Sequence, residues 1–472
     1  MSLQAILAHF SWPGRDINSR VIGEIRDWRR FNVPAASAAD VDRFLAMSGA
    51  VLADAASFVR AVALPPQRSL LLDAWPVGQG LFASGAIQGG AKEPLNWVYD
   101  CGTLSKGEIL TAALDAFEAQ QRRIGANEVR LCVLSHFDTD HISGIVSLIG
   151  RIRVRTLLMP YIPLWRRLLI ALEEGVGADD DLFGFFIDPV TWLAERGGGR
   201  IGEIIFVPGG GPDDLTPGEP EPDSEDRVDP DELGTDLKAE DDPVPPAEAE
   251  DDPIVSAASS VSVRFLRRGG RLVAPLFWEF VPYNDVKLAP KVTRLFRATA
   301  APLIATLRDE RDDAEARANA LAQLKALYES RFKGSVERNL ISLYLYSGPI
   351  GSRLRLGHGS LGGLPLETTD FAQMYTGDGL LNDVTRYGAF ERFYRGRLSR
   401  AKVFQVMHHG ARGSWHAGLA AKVAPEVSIF SSDPARSPWH HPHEEVLRDF
   451  WTYGPRRVDE TQGYFLRRRL VF

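Results

Sequence analysis

Residues 135 to 144 read Ser135-His136-Phe137-Asp138-Thr139-Asp140-His141-Ile142-Ser143-Gly144. Four side chains able to bind a metal, His136, Asp138, Asp140 and His141, lie within six residues. The run before them, Val129 to Leu134 (VRLCVL), has the length and β-branched content of a buried strand, and helical spacing from Ile142 to Leu148 follows. The pattern predicts a loop at the carboxyl end of a strand, where a rigid scaffold can aim functional side chains into one cavity. Two anions buried side by side are costly unless a cation neutralises them. Two imidazoles and two carboxylates so placed therefore predict a site for one or two divalent metal ions.

The same arrangement recurs along the chain. Asp100 ends the strand-like run WVYD, Asp378 ends QMYTGD, and His408-His409-Gly410 follow VFQVM. Each time an apolar strand delivers a ligand-type side chain to a turn. Asp100 reads as a carboxylate that orients a ligand rather than binds metal itself. Of His408 and His409, the first, nearest the strand, is the expected ligand, and the second orients by hydrogen bonding. His441 and His443, in WHHPHEEVL, are candidates for contact with a substrate phosphate and for protonating a leaving group. Gly78 and Gly80 read as residues of a tight turn, because no helix start follows them.

Composition bounds the class. A chain of 472 residues with 44% hydrophobic content and ten Trp fits one large or two ordinary globular domains. No apolar stretch reaches the roughly 18 to 20 residues of a membrane span, and the N-terminus lacks the marks of a secretory signal. Cys101 and Cys132 both sit in strand-like runs and read as small core residues in a reducing compartment, so a cytoplasmic location is expected. The net charge of −8 hides a division: residues 213–252 hold 18 acidic and two basic residues, or −16, leaving −8 − (−16) = +8 for the rest. A basic body suits an anionic substrate such as nucleic acid.

Residues 1–64 show helical spacing broken at Pro34 and Gly49 and predict a small helical element. Strands are expected from Ser69, Leu81 and Asn96, and later at Leu340–Tyr346, Gln373–Thr376, Val403–Met407 and Val427–Phe430. Helices are expected near 107–121, 162–174 and 290–335, the last as an insertion. Residues 208–257 have the composition of an acidic disordered insert. The mixture of strands and helices with ligands at strand ends predicts a layered α+β or α/β fold.

Taken in order, these pieces resemble the metallo-β-lactamase superfamily, above all the soluble hydrolase domain of ComEC-type DNA-uptake proteins. The shared pieces are Val77-Gly78-Gln79-Gly80, Asp100-Cys101-Gly102, the run His136 to Gly144, Asn339 before Ser342-Leu343, Thr376-Gly377-Asp378, His408-His409-Gly410, and His441 to Leu447. The resemblance spans about residues 69–472 apart from the acidic and helical insertions. It implies an α+β fold, a four-layer αββα sandwich with the site at one edge of two sheets. It also implies metal ligation by His136, Asp138, Asp140, His141, Asp378, His408 or His409, and Asn339, with Asp378 bridging. Most of the superfamily has His at the positions of Asp138 and Asn339. Oxygen in place of nitrogen shifts the preference toward manganese or magnesium, with zinc still compatible. The transmembrane channel of competence proteins has no counterpart here.

The expected activity is metal-dependent hydrolysis of a phosphodiester by a metal-bridging hydroxide, with Asp140 in the catalytic centre and two divalent ions as cofactors. Two other readings stand beside it. One is a hydrolase of small esters, thioesters or lactams. The other is a regulatory module whose N-terminal helices and acidic insert bind protein partners.

Overall fold

The computed structural model describes residues 69–88, 93–209, 235–242, 249, 252–256, 261–275, 277–284, 293–309, 313–331, 342–351, 354–361, 364–436 and 440–471. The helical element expected over residues 1–64 and the candidate ligand Asn339 lie outside them.

Strand β3 (Leu95–Cys101) shows how the sequence builds layers. Successive side chains of a strand point to opposite faces. Trp97 and Tyr99 enter one apolar cluster and Val98 another on the opposite face; Cys101 joins Val98 because the left-handed Asp100, φ 55°, breaks the alternation. Both faces are buried, which is why the run reads as almost continuously apolar.

β3 lies in an eleven-stranded sheet. β1 (Ser69–Ala74), β2 (Phe82–Gln88) and β3 pair antiparallel. From β3 the strands β4 (Glu128–Val133), β5 (Arg153–Pro160), β6 (Ile201–Val207) and β9 (Ser262–Leu266) run parallel. On the far side of β1 lie β19 (Tyr464–Val471), β13 (Arg355–Leu361) and β14 (Leu364–Thr368); β8 (Asp241–Asp242) closes the other edge. The second sheet has the order β18 (Pro455–Val458), β17 (Val427–Ser431), β16 (Ala401–Gln405), β15 (Ala372–Tyr375), β12 (Tyr344–Pro349), β11 (Trp278–Tyr283), β10 (Leu272–Ala274) and β7 (Lys238–Ala239).

The inner faces of the two sheets meet in an aromatic layer. Trp97 lies 5.6 Å from Trp278, and Tyr99 stacks on Tyr375 at 4.7 Å. The polar tips are satisfied in place: Trp97 Nε1 donates to the Tyr375 hydroxyl, and the Tyr99 hydroxyl donates to the Leu343 carbonyl. The outer faces are covered by helices. Leu114 and Phe117 of the helix Gly107–Arg123 and Ile149 of the helix Ile145–Arg151 pack against Val98 and Cys132. Tyr387 and Phe390 of the helix Val384–Tyr394 cover Met374 and Phe404 of the second sheet. The architecture is therefore helix, sheet, sheet, helix, the four-layer α+β sandwich.

Two differences from the sequence reading have local causes. Of the strand expected over Leu340–Tyr346, residues 340 and 341 lie outside the described residues; Ser342 and Leu343 precede the strand, which starts at Tyr344, because the Leu343 amide donates to the Ser135 carbonyl at 2.7 Å instead of joining a ladder. The acidic segment expected to be disordered contributes structure where it is described. β7 and β8 add to the two sheets, and Asp252 is buried against Arg167, its carboxylate accepting two hydrogen bonds of 2.8 and 3.0 Å. Composition registers the charge of Asp252 but not its partner, which lies 85 residues away. Arg167 also donates to the carbonyls of Ile162, Phe186 and Ile187, tying together the helices Leu164–Glu173 and Phe183–Ile187. The helical insertion is a pair, Arg294–Asp309 and Ala314–Arg331, joined to the first helical layer by the Tyr328 hydroxyl donating to the Trp165 carbonyl at 2.5 Å.

Asp252→Ala leaves the Arg167 charge buried without its carboxylate. The expected cost is about 3–5 kcal/mol of unfolding free energy, measured by urea denaturation. A loss within experimental error would show that Asp252 is a surface charge of a loose segment.

Candidate metal centre

The loop that carries four of the candidate ligands leaves β4 at the seam between the sheets. Leu134 still pairs with β5, its amide donating to the Leu158 carbonyl. The next residue turns away: the Ser135 amide donates to Asp100 Oδ1 at 2.7 Å. A short helix, Thr139–Ile142, then presents Asp140 and His141 inward. This helix rests on the turn after β3. A Cβ on Gly102 would lie 2.6 Å from the backbone of Asp140 and His141, so only glycine lets the two loops approach.

The second sheet supplies the other wall. The turn Thr376-Gly377-Asp378 is held by the buried Gln405 side chain, whose Oε1 accepts the amides of Thr376 and Gly377 at 2.7 and 2.8 Å. Ser342 Oγ accepts the Asp378 amide at 3.1 Å. Gly377 has φ +51°, and a Cβ there would meet Ser342 Oγ at 2.4 Å. Sequence reasoning passed over Gln405 and Ser342. The available signal was a glutamine inside the apolar strand VFQVM, since a buried amide needs partners.

These elements bring the candidates together. One ligand atom each from Asp140, His141, Asp378 and His409 lies within 4.8 Å of the others. Asp378 stands in the middle. Its Oδ1 is 3.1 Å from His141 Nε2 and 3.7 Å from His409 Nε2, while its Oδ2 is 3.5 Å from His408 Nε2 and 3.9 Å from His136 Nε2. Asp138 Oδ2 lies 3.8 Å from His136 Nε2, and Asp140 Oδ2 lies 3.0 Å from His409 Nε2. Two groups thus face one carboxylate: His136 and His408 on one oxygen, with Asp138 beside His136, and His141 and His409 on the other, with Asp140 beside them.

His408 is the expected ligand of the pair and His409 its orienting partner; in the structure both rings face Asp378. His409 is the buried member of the tight cluster, fixed by its Nδ1 donating to the Ser431 carbonyl at 2.5 Å. His408 is partly exposed and turns Nδ1 toward Ser414 Oγ at 3.0 Å, while its Nε2 also faces Asp378. Both residues have left-handed backbones, φ 48° and 56°, so the chain curls and both rings reach the site. His441 lies beside them, its ring 5.7 Å from that of His408 and 6.2 Å from that of His409. His443 lies 5.0 Å from His441 and accepts the Arg412 amide on Nδ1 at 3.2 Å. Asp100 touches no other carboxylate of the cluster; its Oδ2 accepts His141 Nδ1–H at 2.7 Å.

The electrostatics call for a cation. His136 Nε2, His141 Nε2 and Asp378 Oδ1 are buried without hydrogen-bond partners. His141 donates its Nδ1–H to Asp100 and sets Nε2 3.1 Å from Asp378 Oδ1, an ion pair while the imidazole is protonated and a ligand nitrogen where a cation takes that proton's place. Burial pulls the His141 pKa down, yet Asp378, Asp100 and Asp140 together hold it well above its ordinary value. Burial resists ionisation of Asp140, but His141 and His409 bring its pKa down to about 2. Asp378 is likewise held well below the usual range by His408, His141 and His409 against the effect of burial. Burial, aided by His141, lowers His136 to about 3, so its imidazole is neutral at pH 7. Ionised carboxylates and imidazole nitrogens buried around one space fit divalent cations with mixed oxygen and nitrogen ligands.

No family model and no curated protein matches the chain. Among solved structures, a long form of RNase Z from yeast is similar at 10% sequence identity and a TM-score of 0.27, over 77% of this chain and 37% of that one. The chain thus spans little more than a third of that protein's chain.

Asp100→Asn sets an amide N–H2 against either His141 Nδ1–H or the Ser135 amide. Divalent-metal affinity is expected to fall about 10- to 100-fold with the circular dichroism spectrum unchanged. Isothermal titration with manganese chloride checks this, and wild-type affinity would mean that Asp100 does not orient the cluster.

Proposed function

We propose that the chain is a metal-dependent hydrolase of phosphodiesters, with nucleic acid as the favoured substrate class. One observation carries the reading: His136 Nε2, His141 Nε2 and Asp378 Oδ1, three buried atoms without hydrogen-bond partners, converge at the seam of the two sheets. His136, Asp138 and His408 would hold one divalent ion and Asp140, His141 and His409 a second, with Asp378 between them. When bound, such ions lower the pKa of a water toward neutrality and offset charge developing on a phosphoryl group. Asp138 adds an oxygen ligand, which favours manganese or magnesium over zinc.

The chain's own residues would do the rest. Asp100 holds His141 by its Nδ1–H and so aims Nε2 into the site, 3.1 Å from Asp378 Oδ1. Gln405 and Ser342 fix the turn that aims Asp378. Of the two outer histidines, His443 suits a hydrogen bond from a neutral N–H to a leaving oxygen. Its Nδ1 accepts a backbone amide, which leaves the proton on Nε2. Burial and the neighbouring His409 and His408 lower His441 to about 3, so it offers a neutral N–H rather than a proton. The +8 charge outside residues 213–252, with Arg412 exposed beside His443, supports an anionic polymer as substrate.

Asp140→Ala is expected to lower hydrolysis of single-stranded DNA, RNA or bis(p-nitrophenyl) phosphate by more than about a hundredfold, exceeding the loss typical of an outer partner. The fold should remain intact by circular dichroism. Chelation of the wild type should abolish turnover, and added manganese or magnesium should restore it better than zinc. Wild-type rates in the variant, or full activity after chelation, would overturn the reading.

A further inference from the structure

Ser135 stands immediately before the ligand loop, and its side chain lies between three groups of the site. It is wholly buried. Its Oγ is 2.6 Å from Asp100 Oδ2, 2.8 Å from His136 Nδ1 and 3.5 Å from His141 Nδ1. A serine hydroxyl has one proton to give and lone pairs to accept with. An ionised carboxylate only accepts, so the Ser135 proton goes to Asp100. The remaining contact then has one arrangement, in which His136 Nδ1–H donates to Ser135 Oγ. That fixes the His136 tautomer and leaves its Nε2 bare, the atom that has no hydrogen-bond partner and faces Asp138 and Asp378.

We propose that Ser135 is a positioning residue that relays the Asp100 carboxylate to His136, so that one buried carboxylate orients an imidazole on each side of Asp378. His141 is held directly and His136 through the hydroxyl. The inference rests on the proposed metal-dependent function, because its consequence is metal binding at both groups of ligands. The backbone shows why serine occupies the position. The Ser135 amide donates to Asp100 Oδ1 and its carbonyl accepts the Leu343 amide, so the residue is locked to both sheets. The side chain must also be small, since a Cβ on the neighbouring Gly377 would already lie 2.8 Å from Ser135 Oγ. A water could not replace the hydroxyl without room for its own hydrogen bonds.

The test uses the full chain labelled with ¹⁵N-histidine. Long-range ¹⁵N–¹H spectra of the metal-free protein report which ring nitrogen of His136 carries the proton, and the His136→Asn spectrum assigns the signal. The wild type is expected to show His136 in its Nδ1–H form, with His141 also protonated on Nδ1. In Ser135→Ala, the His136 signal should lose its Nδ1–H form while that of His141 persists. Titration with manganese chloride should then show one of two equivalents weakened about 10- to 100-fold and the other retained. The relay is overturned if wild-type His136 carries its proton on Nε2, or if Ser135→Ala binds both equivalents as tightly as the wild type. The wild-type tautomer decides the matter even if a variant fails to fold. A wild type that binds no divalent ion would sink the proposed function, and the metal-free spectra would still decide the relay.

Discussion

A single carboxylate, that of Asp100, is the constraint on which the rest of the site depends. It is wholly buried at the end of β3 with a left-handed backbone, φ 55°, and has no charged guanidinium or ammonium beside it among the described contacts. Burial alone would push its pKa up and favour the neutral acid. What opposes this is the set of donors around it: His141, then the hydroxyl and amide of Ser135. Those donors belong to the loop that begins the ligand run, so satisfying the carboxylate also orients that loop. Fold and site are coupled through one desolvated group, and the cost of its burial is offset by hydrogen bonds whose other ends aim imidazoles at Asp378.

The seam between the sheets makes this possible. Side chains that fill the space between the sheets, Trp97 against Trp278 and Tyr99 against Tyr375, keep the ends of β3 and β4 close to the ends of β15 and β16. Backbone bonds cross at the same level, with the Leu343 amide donating to the Ser135 carbonyl. Candidate ligands from the first sheet (His136, Asp138, Asp140, His141) therefore meet candidates from the second (Asp378, His408, His409). A site divided between two sheets gains rigidity, because neither half can shift without disturbing the aromatic layer. The polar groups that position it, Gln405 and Ser342, are buried and fully used, which confines Asp378 to one place.

The peripheral elements follow another logic. The helix pair over 294–331 packs Phe296, Ala300, Leu307, Ala320, Leu324 and Tyr328 into the first core cluster, and specific polar contacts fasten both it and the described parts of the acidic segment. Tyr328 reaches the Trp165 carbonyl, and Asp252 forms a buried bidentate pair with Arg167. Arg167 and Trp165 both sit in the helix Leu164–Glu173, so both additions are fastened to one element of the first helical layer.

The sequence by itself determined the kinds of layer and the kind of site. Short apolar runs such as NWVYDC and VRLCV, and helical spacing over 107–123, are local properties that survive without knowledge of partners. The density of His and Asp after β4 is local too, and the cost of burying adjacent carboxylates is enough to imply a cation. Only the tertiary structure decided which histidine of the pair 408 and 409 closes the cluster, because consecutive left-handed residues curl the chain in a way that spacing does not encode. It alone placed Ser135, Gln405 and Ser342 in the machinery, since an ordinary polar residue becomes a positioning group only through distant partners. It also turned Asp252 from one acidic residue among many into half of a buried ion pair, because burial is a property of the assembled fold and charge is a property of the chain.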